Sequence, residues 1–500
     1  MKLLTYLALM SVASAVVVPN KRDLNRGKVL KLPFHKTHND SSNAHTQDGK
    51  VLVKRDGTAG FDITNRQTFY SVDLDIGTPS QQVTVLLDTG SSDLWVTGSN
   101  NPYCTSSGGT IDCSKYGTFN KGQSSSFKDN DTTFSITYGD KSFARGGWGQ
   151  DILSLGGVDI SGVSFAVADE TDSNVGVLGI GLEQLETTTG SSGYVSDPHT
   201  YSNLPSVLKD TGAIDTIAYS LYLDDAAATE GSILFGGVDA SKYTGTLYTV
   251  PIINIYEGYS NPIALDITLQ GMGLSTSDSS KTITTSQIPV LLDSGTTLTY
   301  FPSSYVKMVA DAIGATYVAS GLYGMNCPSE SDDRDLVFDF GGFHIKAPLS
   351  SFLITSSGNS NVCFLGMVSQ ENLPAILGDL FLTHAYVVYD LDNYEVSMAQ
   401  ADYTGADEDI QAILDSVPGA TKASGYSNTW NGNQNYVSGG NIFTLNDAPA
   451  ASMTSSVSVS SLSATPTAAT TSDDSQGTQP TCGGGDFLAD ILCFLDSLFE

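Results

Sequence analysis

The chain has 500 residues, 40% of them hydrophobic, and carries 54 acidic against 23 basic residues, a formal net charge of −31 at pH 7. That length exceeds one compact domain and that hydrophobic share is ample for large cores, so most of the chain is expected to be globular. The negative balance excludes a nucleic-acid binder, which needs the opposite sign.

Met1-Lys2-Leu3-Leu4 and the apolar residues up to Ala13-Ser14-Ala15 read as a signal peptide over residues 1–15, because one positive charge precedes an apolar run too short to span a bilayer. Secretion is the expected destination, with the cell surface or wall as the alternative. Residues 16–55 read as a basic pro-segment. Residues 1–55 hold ten of the basic and three of the acidic residues, and the sign of charge switches at Lys54-Arg55; Lys21-Arg22 is a second dibasic pair. Cations of such a segment can sit over an acidic cleft near neutral pH and lose their grip when its carboxylates protonate, which makes the segment an intramolecular inhibitor.

From Thr68 the residues Tyr70-Ser71-Val72-Asp73-Leu74-Asp75-Ile76 alternate apolar and polar, turn at Gly77-Thr78-Pro79 and resume at Val83, the pattern of a β-hairpin. It feeds Val85-Leu86-Leu87-Asp88-Thr89-Gly90-Ser91. The chain writes that stretch again 205 residues later as Val290-Leu291-Leu292-Asp293-Ser294-Gly295-Thr296. A repeat at this distance implies two similar lobes, assigned to residues 56–243 and 244–403. In each copy a buried strand aims a carboxylate, the glycine allows a sharp turn and close approach of a substrate, and the hydroxyls of Thr89, Ser91, Ser294 and Thr296 can donate to the otherwise unpaired carboxylate, so that each Asp is expected to be held by its own turn. If the lobes pack about an approximate two-fold axis, Asp88 and Asp293 meet, and two like charges that close share one proton. Such a pair serves as base and acid in one step, which is peptide hydrolysis without metal, cofactor or covalent intermediate.

Between the repeats, Trp95 is large enough to need burial with its N–H paired. Asn130-Asp131-Thr132 is an N-glycosylation acceptor, as is Asn39-Asp40-Ser41 within the pro-segment. Phe134-Ser135-Ile136-Thr137-Tyr138-Gly139-Asp140 is an alternating strand running into a hairpin turn. Gly176-Val177-Leu178-Gly179 and Ala375-Ile376-Leu377-Gly378 form a second repeated pair, read as scaffold strands in which glycine makes room for another backbone. Short helices are expected at Ser206 to Gly212 and from Pro302-Ser303-Ser304-Tyr305 onward. The six cysteines fall into three local couples, 104 with 113, 327 with 363 and 482 with 493, among fifteen formal pairings; none of the spacings has zinc-site character.

These motifs resemble the pepsin family of aspartic endopeptidases, and more narrowly its fungal secreted branch containing candidapepsins and yapsins, over residues 69 to 403. The resemblance implies a mostly β, bilobal fold with the active-site cleft between two related β-rich lobes. It implies that Asp88 and Asp293 are catalytic, that Tyr138, Gly139 and Asp140 form a flap over the substrate, and that Trp95 supports the flap tyrosine. Gly90, Gly295, Thr296 and Thr297 would line the substrate site. It further implies disulfides Cys104–Cys113 and Cys327–Cys363 and activation after Lys54-Arg55. Ser294 stands where many relatives have threonine and keeps the hydroxyl. The expected partners are protein or peptide substrates and the chain's own pro-segment, with the protein a monomer. Cleavage beside basic residues and cleavage at bulky apolar residues both remain open.

After Tyr403 the pattern weakens. Asp407 to Leu414 reads as a helical turn or two, and residues 404–480 as a low-complexity Ser/Thr-rich tail. Residues 481–500 read as a short amphipathic terminus, in which Asp486, Asp490, Asp496 and Glu500 interrupt the uncharged end that a lipid-anchor signal needs, so anchoring is not favoured. The competing reading from another class is a catalytically inactive pepsin-fold binding or cell-wall protein.

Overall fold

The computed structural model describes residues 27–38, 68–138, 141–155, 158–190, 197–225, 228, 230–318, 321–355, 361–371 and 374–444. The expected hairpin forms: Thr68–Ile76 pairs antiparallel with Gln81–Asp88, Val72 opposite Val85. Tyr70, Val72, Leu74 and Ile76 are buried while Asp73 and Asp75 are exposed, the two-residue period of a strand with one wet face.

The end of Gln81–Asp88 runs parallel to Gly176–Gly179, Asp88 opposite Gly179, and Gly176–Gly179 pairs antiparallel with Leu94–Thr97. The second half repeats this. Ile288–Leu292 runs parallel to Ala375–Leu377, Leu292 opposite Leu377, and Ala375–Leu377 pairs antiparallel with Thr299–Phe301. Passing one strand between the arms of an Asp turn leaves no room for a side chain: a Cβ on Gly378 would stand 2.1 Å from the Thr296 carbonyl oxygen.

The halves share a platform. A 14-stranded sheet runs from Tyr243–Pro251, Glu395–Ala401 and Ala385–Asp390 of the second half, through Ala218–Tyr222, Glu230–Phe235 and Leu30–His38, into the first-half strands. One apolar core crosses both halves and includes Leu87, Leu178, Leu292 and Leu377, the residues flanking the Asp turns. Dense packing of that core fixes where each strand ends, and so where each aspartate points. The helix Ser303–Ile313 buries Tyr305, Val306, Val309, Ala310 and Ile313 and stops at Gly314, φ +83°. The helix Leu204–Asp210 starts two residues before the expected span because Pro205 seeds its first turn, and a third, short helix, Asp379–Leu382, follows Gly378.

Two segments depart from the sequence reading. Leu30–His38, within the stretch expected to be a basic pro-segment, is a strand in the middle of the shared sheet, between Glu230–Phe235 and Thr68–Ile76. Leu30, Leu32 and Phe34 are buried in it, and Lys36 is buried too, donating to the Asp225 carbonyl at 2.8 Å. Apolar alternation and two paired edges, not charge, place this strand. Residues 1–15, expected to be a signal peptide, together with Asn39, Lys54 and Arg55, lie outside the described residues.

The second departure is residues 404–444, expected to begin the tail. Ile410–Ala412 is a strand antiparallel to Gly237–Asp239 rather than part of a helical turn, Ala420–Lys422 pairs parallel with Tyr243–Pro251, and Ser438 bridges to Thr284. Ile413, Val417, Ala423 and Ile442 are buried along this strap. They are spaced too irregularly to read as a periodic run, and backbone pairing positions them. Ending the chain after Tyr403 should therefore lower Tm by roughly 10 °C, since several apolar side chains worth about 1.5–3 kcal/mol each lose their seats. Ending it after Thr444 should leave Tm unchanged in the same thermal scan. Ala450 to Gln479, Cys482, Cys493 and residues 481–500 lie outside the described residues. No helix among the described residues is long and apolar enough to cross a membrane.

Candidate active site

Each Asp turn holds its own carboxylate in the same way. Gly90 N–H donates to Asp88 Oδ1 at 2.8 Å and Gly295 N–H to Asp293 Oδ1 at 2.8 Å. The Ser91 hydroxyl donates to Asp88 Oδ2, and the Thr296 hydroxyl to Asp293 Oδ2 at 2.5 Å. Beneath the carboxylates the turns lock across the two halves. Thr89 Oγ1 donates to the Leu292 carbonyl at 2.8 Å and accepts from Ser294 N–H at 2.9 Å, while Ser294 Oγ donates to the Leu87 carbonyl at 2.9 Å and accepts from Thr89 N–H at 3.2 Å. Serine at 294 makes the full set of bonds. The turns interleave so closely that a Cβ on Gly295 would stand 2.4 Å from Asp88 Oδ1, and one on Gly90 2.6 Å from Asp293 Cγ. Both aspartates are buried, 7% exposed.

A scan of protein families matches residues 69–401 to the eukaryotic aspartyl proteases. Among curated relatives, Aspartic proteinase 3 of Saccharomyces cerevisiae is 47% identical over 90% of this chain and 91% of its own length. Aspartic proteinase yapsin-3 of the same yeast is 48% identical over 88% of this chain and 86% of its own, and an acid protease of Saccharomycopsis fibuligera is 43% identical over 68% and 83%. The chain belongs to the eukaryotic aspartyl protease family. It is an aspartic endopeptidase, a hydrolase of peptide bonds.

In this protease burial pushes the Asp88 carboxyl up to about 8, the neighbouring Asp293 pushes it further in the same direction, and the Ser91 hydroxyl opposes both. A pair with one member so raised retains one proton through the acid range. Lys128–Thr137 pairs antiparallel with Phe143–Leu155, and the hairpin closes through Tyr138 N–H to the Ser142 carbonyl at 2.9 Å. Gly139 and Asp140 lie outside the described residues. Trp95 Nε1 donates to the Tyr138 hydroxyl at 2.7 Å, which ties the hairpin to the strand leaving the first Asp turn. Gly90, Gly295, Thr296, Thr297 and Tyr138 are all partly exposed.

The cysteines and the glycosylation acceptor stand apart from the two Asp turns. Disulfides join Cys104 to Cys113 and Cys327 to Cys363. Asn130 is exposed on Lys128–Thr137, beside Asp131 at φ +56°. No cluster of three or more His, Cys, Asp or Glu that could hold a metal ion occurs among the described residues.

Sequence reasoning misses two acidic groups near the dyad. Asp379, in a stretch that reads only as scaffold, is buried; burial holds its carboxyl well above the usual range, Asp293 adds to the rise and Lys36 opposes it. The available signal is an aspartate directly after the glycine of the second scaffold strand. Asp93, five residues past Asp88, is 2% exposed and accepts from the Tyr201 hydroxyl at 2.8 Å and from Thr187 N–H at 2.9 Å. Tyr201 lies 108 residues away with no local pattern to announce it.

Proposed function

We propose that this protease hydrolyses internal peptide bonds at acid pH with Asp88 and Asp293 as a catalytic pair sharing one proton. The observation that carries the reading is the matched support of two carboxylates by equivalent turns locked to each other across the two halves. The ionised carboxylate takes a proton from water as the water oxygen attacks the scissile carbonyl carbon, and the protonated partner gives its proton to the carbonyl oxygen. The resulting diol collapses by breaking the C–N bond: a diol hydroxyl returns a proton to one carboxylate, the amine leaves with a proton from the other, and the pair again holds a single proton.

In this reading Gly90, Gly295, Thr296 and Thr297 border the substrate backbone, and Tyr138 with Gly139 and Asp140 closes on it, excluding water. The protease is made as a secreted zymogen, cut after Lys54-Arg55, N-glycosylated at Asn130 and active as a monomer. The inactive-binder alternative finds no support, because both aspartates and both sets of supporting donors are intact. Digestion of denatured haemoglobin between pH 3 and 9, with N-terminal sequencing of products and enzyme, tests the reading. Internal cuts confined to the acid side, by a chain that begins at Asp56, are expected. Release of terminal residues only, or a rate independent of pH, contradicts it.

A further inference from the structure

We propose that Tyr201 is a positioning residue for peptide hydrolysis, tying the turn that carries Asp88 to the base of the flap hairpin. The inference rests on the reading of Asp88 and Asp293 as the catalytic pair.

Asp93 belongs to the loop between Gln81–Asp88 and Leu94–Thr97, so whatever fixes Asp93 limits the freedom of the catalytic turn. Its carbonyl accepts from Gly179 N–H at 3.0 Å, and its carboxyl oxygens are divided between two partners. Oδ2 faces Thr187, which offers its backbone N–H at 2.9 Å and also its side chain; Oδ1 takes the Tyr201 hydroxyl at 2.8 Å. Tyr201 is itself held in place, since its backbone N–H donates to Glu186 Oε2 at 2.9 Å and Glu186 is 0% exposed. A tyrosine clamped at its backbone and at its hydroxyl presents a ring with little freedom.

That ring meets the flap. Its centroid lies 5.1 Å from Trp148, edge to face, and Trp148 lies 5.3 Å from Phe134 in the same geometry. Phe134 and Trp148 sit on the two strands of the hairpin, well below its tip. Trp95 and Trp148 register onto opposite edges of one residue, Ala166, and Trp95 reaches the hairpin end through Tyr138. The hairpin is therefore fastened at two heights to two residues, Asp93 and Trp95, that are neighbours but one on the catalytic loop. The upper fastening, from Trp95, holds Tyr138. The lower one, from Asp93 through Tyr201, sets the angle at which the hairpin rises, and with it the gap a substrate must fit.

A tyrosine that merely filled space would be replaced by phenylalanine without consequence for substrate binding, because the ring contact with Trp148 survives. The positioning role depends on the hydroxyl. The experiment compares wild type and Tyr201→Phe in the full chain at acid pH, with active sites counted by titration so that misfolded protein does not enter kcat. Expected are a rise in KM and in the Ki for pepstatin of about tenfold, together, with kcat changed less than about threefold. Unchanged KM and Ki, or a lower Tm with per-site constants intact, overturns the proposal and leaves Tyr201 a packing residue. If Tyr201→Phe does not fold, Trp148→Phe gives the same reading from the other end of the contact: Ki raised at least threefold supports the link, and Ki unchanged overturns it. A wild-type chain without pepstatin-sensitive hydrolysis would instead remove the catalytic-pair reading itself, an outcome distinct from either variant's behaviour.

Discussion

Asp293→Asn is expected to lower kcat by roughly four orders of magnitude, the scale of loss when one member of a catalytic constellation is removed. The substitution is nearly isosteric: the amide oxygen can still accept from Gly295 N–H, and the amide NH2 that replaces Oδ2 can donate to the Thr296 hydroxyl, which in the wild type donates to Oδ2, so the turn keeps its shape. What disappears is the ability to hold a negative charge beside Asp88. With asparagine there, Asp88 is the one titratable member left, so the site can no longer hold a carboxylate to take the proton of water and a carboxylic acid to protonate the carbonyl oxygen at the same time. Turnover assays on variant protein whose circular dichroism and Tm match wild type check this. Substantial residual activity in that folded variant would show that another group supplies the base.

The second large effect concerns stability. Burial pushes the Glu186 carboxyl up to about 9, with Asp93 and Glu183 adding to the rise and Tyr201 N–H opposing it; burial likewise pushes Asp266 up to about 7, with Tyr256 opposing the rise. Both groups are 0% exposed. In the unfolded chain these carboxyls ionise near 4, so below that pH they are protonated in both states and cost nothing. As pH rises above about 4 the unfolded state gives up protons that the folded state retains, and stability falls by about 1.4 kcal/mol per pH unit for each group until its folded pKa is reached. The loss runs to about pH 7 for Asp266 and about pH 9 for Glu186. Thermal scans should show the highest Tm near pH 4 and a steady decline toward pH 8. Glu186→Gln, which keeps an oxygen to accept from Tyr201 N–H, should flatten that decline at its alkaline end. A Tm that held level or rose from pH 4 to 8 would contradict this assignment.

The repeated Asp turns are legible in the sequence because their chemistry is local. A strand, a carboxylate, a glycine and two hydroxyl residues are contiguous, and the repeat supplies the partner. The hairpin at Tyr138 is legible for the same reason, as are the couples Cys104–Cys113 and Cys327–Cys363 once a family resemblance ranks the pairings. Leu30–His38 escapes a reading by charge although Leu30, Leu32 and Phe34 alternate plainly, because cations surround it and the two edges that receive the strand belong to segments far along the chain. The strap from 404 to 444 reads as tail because its buried residues, Ile413, Val417, Ala423 and Ile442, obey no single period; each is set by a different neighbouring strand. The Asp93–Tyr201 bond is invisible in the same way. Side chains that meet across 108 residues leave no spacing to read.

Titration of hydrolysis with pepstatin at pH 4 tests most directly whether Asp88 and Asp293 form one working site. One inhibitor per chain should abolish cleavage of denatured haemoglobin, because a single ligand that spans the pair removes both the base and the acid. Cleavage that persists at saturating inhibitor, or that needs more than one equivalent to stop, would contradict a single site built from the two turns.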